Sequence, residues 1–392
     1  MLVSIGKCYK TYFFILGSTL FKLLSLIIIG NRNNDFGLFG FCPTFNKFNF
    51  TQSIFIYFGY IIFGIIFYFF KKIKKADERN IKIKTGPTAG TFIYNNPNQI
   101  RAENLCKNFI IVSLSFVLYI EIKKVLCIEG FQFFNFWTIE IIVLLFLLKK
   151  YFIIDFYKHQ KVSIIFIISA CSALLLTASI LPTSLLDGKD EKNAYQNIND
   201  KLGIYFYCIL FIILFVGLSF IYSYSRTYSK VLMQIKFVSP FKIIFVIGIV
   251  GLPISIITSI VSYYLGYKKD NLFEYFEIME KNKIEKETYK FWVEIFCVYP
   301  LFFFTSFMEL TCEILTNYYL NPFFVLMTNN LYYMIIELNS FLLNISTNKY
   351  KIAHFLIAEF SEVFAFLDYM VYLEIIELNF CGLSDKQPRK KR

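Results

Sequence analysis

The chain has 392 residues, 57% of them hydrophobic, 20% aromatic and 17% charged, with a formal net charge of +12. Soluble domains carry about 25% charged residues, so this composition does not fit an ordinary soluble fold and points to membrane spans. The positive charges fall between apolar runs and form no single patch, which sets nucleic acid aside and leaves the lipid bilayer as the partner.

Heavy use of Phe, Tyr, Ile, Asn and Lys has the look of an AT-rich coding genome, so no single aromatic carries functional weight. Nine cysteines are scattered without a CxxC pair or a neighbouring His. That pattern supports neither a metal nor a redox motif, and most of them read as small buried hydrophobes.

A helix needs about 20 apolar residues to cross a bilayer core of about 30 Å. Ten segments qualify: 12–30, 53–70, 109–126, 132–148, 162–182, 203–222, 241–264, 294–316, 321–345 and 353–376. The first is too long for a signal peptide, carries Lys22 and has no small-residue cleavage site after it, so it is expected to be retained. Glu121, Lys123 and Lys124 interrupt the boundary between the third and fourth. Residues 71–108 read as a basic loop, 183–202 as a polar linker and 223–242 as a compact positive turn holding Arg226, Lys230, Lys236 and Lys242. Ser239-Pro240 opens the seventh run. Residues 267–293 alternate charge with Phe273, Phe276 and Met279 at helical spacing, which predicts an amphipathic surface helix.

Lys and Arg divide unequally between alternate sides. The side holding both termini and the connections 71–108, 149–161, 223–242 and 317–320 has 24, and the other has 15. Both termini are therefore expected in the cytoplasm, with an even number of spans. The fold expected is an all-α integral membrane protein of ten transmembrane helices in two inverted five-helix repeats. Residues 1–182 form the first repeat, 203–376 the second and 377–392 a basic cytoplasmic tail. An odd span number per half turns the second half upside down, which is how many carriers obtain two conformations around one midplane site.

Ionisable groups at membrane depth are costly, so each is a candidate. Lys22 lies inside the first span, where it either snorkels toward the outer surface or, as the only buried cation, pairs with a carboxylate or a substrate anion. Glu140 sits in the fourth span and Asn329, with Asn330, in the ninth; these spans correspond in the proposed repeat, so both groups are expected near the midplane. Glu309 and Glu313 are four apart on one helix face, where mutual repulsion suits proton coupling or Glu313 sits at the interface. Glu337 is a further candidate. Glu359 and Glu362 read as solvated near the outer boundary. Asp368 reads as a helix contact or the interface of a homodimer. Gly248, Gly251 and Pro253 let span seven approach a neighbour closely or bend, as packing or as a gating hinge. No catalytic residue, metal or cofactor is indicated, and neither a P-loop nor a GxGxxG is present.

Three stretches resemble the drug/metabolite transporter superfamily, in particular the nucleotide-sugar-transporter-like solute carrier family 35, subfamily F. They are LGSTLFKLLSLIIIGNRNNDFGLFGFCPTFNKFNFTQSIFIYFGYIIFGIIFYF, YSKVLMQIKFVSPFKIIFVIGIVGLPIS and EFSEVFAFLDYMVYLEIIELNFCGL. The resemblance implies a secondary transporter that moves a small polar metabolite by alternating access, in a Golgi, endoplasmic reticulum or lysosomal membrane. Spans eight to ten depart from the family in having no Lys or Arg to meet a phosphate. The competing classes are a membrane-embedded lipid-modifying enzyme and a non-transporting multi-pass protein. The enzyme class is weakened by His159 and His354, which stand apart with no partner cluster.

Overall fold

The structure is a computed structural model, and it describes residues 3–5, 16–24, 49–74, 93–94, 104–128, 137–153, 158–180, 201–236, 238–264, 292, 296–297, 299–319, 322–343, 349–373 and 376–378. It is built of helices. α1 covers 16–24. After it come α2 (Asn49–Lys74), α3 (Leu105–Ile128), α4 (Trp137–Tyr151), α5 (Lys158–Ile180) and α6 (Lys201–Ile235). The chain continues through α7 (Pro240–Tyr264), α8 (Tyr299–Tyr319), α9 (Pro322–Leu343) and α10 (Lys349–Tyr372). Each lies on one of the ten apolar runs. Among the described residues two helices, over Leu105–Ile122 and Pro240–Val261, are long and apolar enough to cross a membrane, and Ser53–Tyr68 is a shorter apolar stretch. The amphipathic segment expected at 267–293 lies outside the described residues apart from Trp292, as do nearly all of the linker 183–202 and all of the tail beyond 378.

Two small antiparallel ribbons accompany the helices. β1 (Val3–Ile5) pairs with β4 (Ile376–Leu378), with Ser4 opposite Glu377. β2 (Ile93–Tyr94) pairs with β3 (Phe152–Ile153).

The turn expected over 223–242 is corrected. α6 runs 35 residues to Ile235, so Arg226 and Lys230 belong to a buried helix. No Gly or Pro occurs from 218 to 239 to stop it. The hydroxyls of Ser225 and Ser229 donate back to the carbonyls of Tyr222 (2.7 Å) and Arg226 (2.8 Å), which satisfies them without leaving the helix. The chain reverses within a few residues after Ile235. The Lys236 and Val238 amides converge on Leu232 O, and Ser239 O accepts from Lys242 (3.1 Å) and Ile243 (3.3 Å). Pro240 then occupies the first helical position, where its missing N–H costs nothing.

Small residues set the closest crossing. α2 and α7 run antiparallel, Gly64 against Phe245 and Gly248 against Ile61 and Tyr57. A Cβ on Gly248 would lie 2.9 Å from the Ile61 side chain, and one on Gly251 would overlap the Tyr57 ring. This places Gly248 and Gly251 at a packing contact. Pro253 stands exposed further along, and α7 continues through it.

α2 also lies parallel to α8, with Phe55 stacked on Phe303 (5.9 Å), Phe63 against Phe304 (5.6 Å) and Phe67 on Phe307 (5.2 Å). α3 lies parallel to α7, joined by Lys242 over the Phe109 ring (5.4 Å) at one end and Thr258 donating to Glu121 (3.2 Å) at the other. α1 crosses α8 through Phe21–Phe304 and Gly17–Cys312. α3 crosses α6 through Tyr119–Tyr222. α5 pairs with α10, where Gln160 donates to Tyr372 O. The buried apolar residues form two clusters, one from α2, α3, α6, α7 and α8 and one from α4, α5, α6, α9 and α10.

Small hydroxyl side chains share the inside with the two apolar clusters, and the outside is apolar. Ser53, Ser113, Ser223, Thr227, Ser255, Thr305, Thr316 and Thr328 are buried, while Leu114, Phe146, Ile165, Phe220, Ile257 and Phe360 are exposed, Phe360 to 68%. In the described residues, every helix except α9 carries an exposed large apolar side chain. Such a continuous apolar exterior marks a surface that meets something other than water.

Candidate functional site

The interior polar groups converge on one turn of α6. Arg226 is 5% exposed, and its Nη2 is paired with Glu313 Oε1 of α8 at 2.5 Å. The guanidinium lies over the Phe116 ring of α3 at 4.4 Å and the Tyr222 ring at 4.9 Å. Rings facing a desolvated guanidinium contribute about 2 kcal/mol each, which helps to offset the cost of burying it. Nε and Nη1 of Arg226 are buried with no hydrogen-bond partner among the described residues.

One turn earlier, the Tyr222 hydroxyl accepts from Asn329 Nδ2 of α9 at 2.9 Å, and Asn329 Oδ1 accepts from Lys22 Nζ of α1. Tyr222 is within electrostatic reach of Glu140, Glu313 and Tyr119, and Tyr60 of α2 within reach of Glu309, Glu313 and Arg226. A chain Lys22–Asn329–Tyr222 thus meets the pair Arg226–Glu313, with Glu140 and Glu309 close by. α1, α2, α3, α4, α6, α8 and α9 all contribute.

On the next turn α6 is clamped to the end of α8. Lys230 is fully buried, and its Nζ donates to Asn317 O (2.9 Å) and Tyr318 O (3.5 Å). These carbonyls belong to the last turn of α8, where no intrahelical donor reaches them and a cation is favoured. Asn317 Nδ2 answers by donating to Arg226 O (2.5 Å) and Ser229 Oγ (2.8 Å).

The expected site residues are thus partly gathered. Lys22 and Asn329 touch. Glu313 is buried in an ion pair, not held at an interface, and Glu309 lies on the same side. Glu140 lies in the first turn of the described part of α4, which begins at Trp137. Its carbonyl accepts from Ser223 Oγ at 3.4 Å. Asn330 is buried beside Asn329, with Oδ1 unpartnered among the described residues. Two expectations are overturned. Lys22 is half-buried and not the one buried cation, since Arg226 and Lys230 are more deeply enclosed, and Glu362 is fully buried, not solvated. Asp368 is half-buried. The side chains of Glu337 and Glu359 lie outside the described residues. Cys312 is buried, as expected of a small hydrophobe, but Cys106 and Cys297 are exposed.

No protein-family model, curated protein or solved structure matches this chain. The site therefore has to be read from its own groups. It offers three cations, several carboxylates and phenol hydroxyls at hydrogen-bonding positions. Among the described residues no group of His, Cys, Asp and Glu is arranged to hold a metal ion. His159 is buried on α5, next to the Gln160 that bonds α10. Such an arrangement can bind and orient a polar solute.

Proposed function

We propose that the protein is a multi-pass membrane carrier of the drug/metabolite transporter type, with ten spans in two inverted halves. It moves a small polar metabolite by alternating access around the Arg226 centre. The observation that carries this is the order of the helix contacts. Exchanging each of α1–α5 with the helix five places on leaves the main pairings in place. α2–α7 and α5–α10 exchange into themselves and are antiparallel, as halves related by an in-plane two-fold axis require. The parallel pair α3–α7 exchanges with the parallel pair α2–α8, and the crossing α3–α6 exchanges with α1–α8. The two apolar clusters divide the same way, with α6 shared. A polar centre drawn from both halves is where such a carrier binds its solute.

Sidedness has support of its own. β1 and β4 bring together two chain segments whose connections were counted on the Lys- and Arg-rich side, and β2 and β3 do the same for the connections 71–108 and 149–161. Both ribbons fit a cytoplasmic face, which the basic residues favour. An endomembrane location follows from the family resemblance. The apolar exterior fits lipid, and the buried Ser and Thr residues, several of which bond the carbonyl a turn earlier in their own helix, fit the small-residue packing of membrane bundles.

Uptake into sealed proteoliposomes tests the proposal. A panel of nucleotide sugars, nucleotides, organic cations and amino acids should contain a solute that accumulates or exchanges. Glu140→Gln and Lys22→Ala should lower its flux without loss of folded protein. A chain that moves none of them but transfers or modifies lipid in the same vesicles is an enzyme.

A further inference from the structure

We infer that the solute is a small zwitterion of amino-acid type, whose carboxylate docks on the Nε and Nη1 edge of Arg226. The inference rests on the carrier reading and adds the solute's chemical class. Glu313 occupies Nη2, and the rings of Phe116 and Tyr222 cover the guanidinium. Nε and Nη1 remain, buried and without an acceptor among the described residues. Ionised donors left unmet away from water are costly, and a planar oxyanion approaching the guanidinium edge meets them.

The surrounding charge decides which oxyanion. Lys22, Arg226 and Lys230 carry three positive charges, and Glu140, Glu309 and Glu313 carry three negative ones, so the charged side chains of these turns sum to zero when all are ionised. A nucleotide diphosphate adds uncompensated negative charge to a low-dielectric site whose own charges already balance, which is unfavourable. An amine without a carboxylate leaves the Arg226 donors unmet. A solute with one carboxylate and one ammonium meets the arginine, places its cation among the glutamates and leaves the charge sum unchanged. The absence of Lys and Arg from spans eight to ten agrees with a single-carboxylate solute.

Competition in proteoliposomes tests this, with leucine, serine and phenylalanine as zwitterions. Their analogues lacking the amine, their analogues lacking the carboxylate, and a nucleotide sugar complete the set. At least one amino acid should move, and each of its single-charge analogues should compete about tenfold or more less well. Arg226→Lys keeps the charge that pairs with Glu313 but loses the planar donors, so it should weaken zwitterion uptake about 10- to 100-fold while still eluting as folded protein. Transport of the nucleotide sugar or the amine with no competition by amino acids overturns the zwitterion and leaves the carrier standing. So does unchanged amino-acid uptake by Arg226→Lys. If no solute crosses in sealed vesicles holding monodisperse protein, both readings fall.

Discussion

At the residue scale, the pair Arg226–Glu313 is the most consequential contact. Removing one member of a buried ion pair leaves the other charged and enclosed, which costs about 3–5 kcal/mol. Glu313→Gln should therefore lower the unfolding midpoint in detergent strongly. The double variant Arg226→Gln/Glu313→Gln should lose much less than the sum of the single changes, which a double-mutant cycle reads directly. Part of this centre was legible in the sequence. Glu309 and Glu313 at helical spacing, Lys22 inside an apolar run and Asn329 within the ninth span are visible as polar groups out of place, though nothing in the sequence joins Lys22 to Asn329. Arg226 and Tyr222 are not visible, because an arginine beside Ser, Thr and Lys reads as a solvated turn. The signal that could have found Arg226 is the lack of any Gly or Pro from 218 to 239, together with two glutamates on α8 needing a cation.

At the scale of elements, the existence and order of the helices followed from apolar run length, and the boundaries followed from rarer signals. Ser239-Pro240 marked the start of α7, since a capping residue before proline at the first helical position is a strong cue. The end of α6 carried no such cue, and its hydroxyl-rich last turns depend on partners in α8 that lie 88 to 91 residues away. Tertiary contact decided what local pattern left open. Glycine spacing makes a sharper forecast. Gly251→Ala drives a methyl into the fully buried Tyr57 ring and should destabilise by about 1–3 kcal/mol. Gly217→Ala meets nothing within 4 Å and should be neutral or gain about 1 kcal/mol from helix propensity. Thermal unfolding of the two purified variants separates the cases.

At the scale of the whole molecule, the ribbons tie segments that are far apart in sequence, and nothing in their composition announced the pairing. Val3–Ile5 and Ile376–Leu378 are short and ordinary, and their register was set by the helices that deliver them. Because Ser4 lies directly opposite Glu377, the double variant Ser4→Cys/Glu377→Cys should form an intramolecular disulfide on mild oxidation, seen as a mobility shift that a reductant reverses. Placing either cysteine on a neighbouring out-of-register residue should give less.

The inverted arrangement is the claim on which the rest stands, and one labelling experiment reaches it. Cys106 at the start of α3 and Cys297 just ahead of α8 are exposed and sit at matching ends of helices that correspond in the proposed repeat. Each is kept singly in a chain whose other native cysteines have been removed, and treated in sealed, oriented vesicles with a membrane-impermeant maleimide. The proposed topology predicts reaction from opposite faces of the membrane, one site only from outside and the other only after the vesicles are opened. Labelling of both from the same face would contradict it.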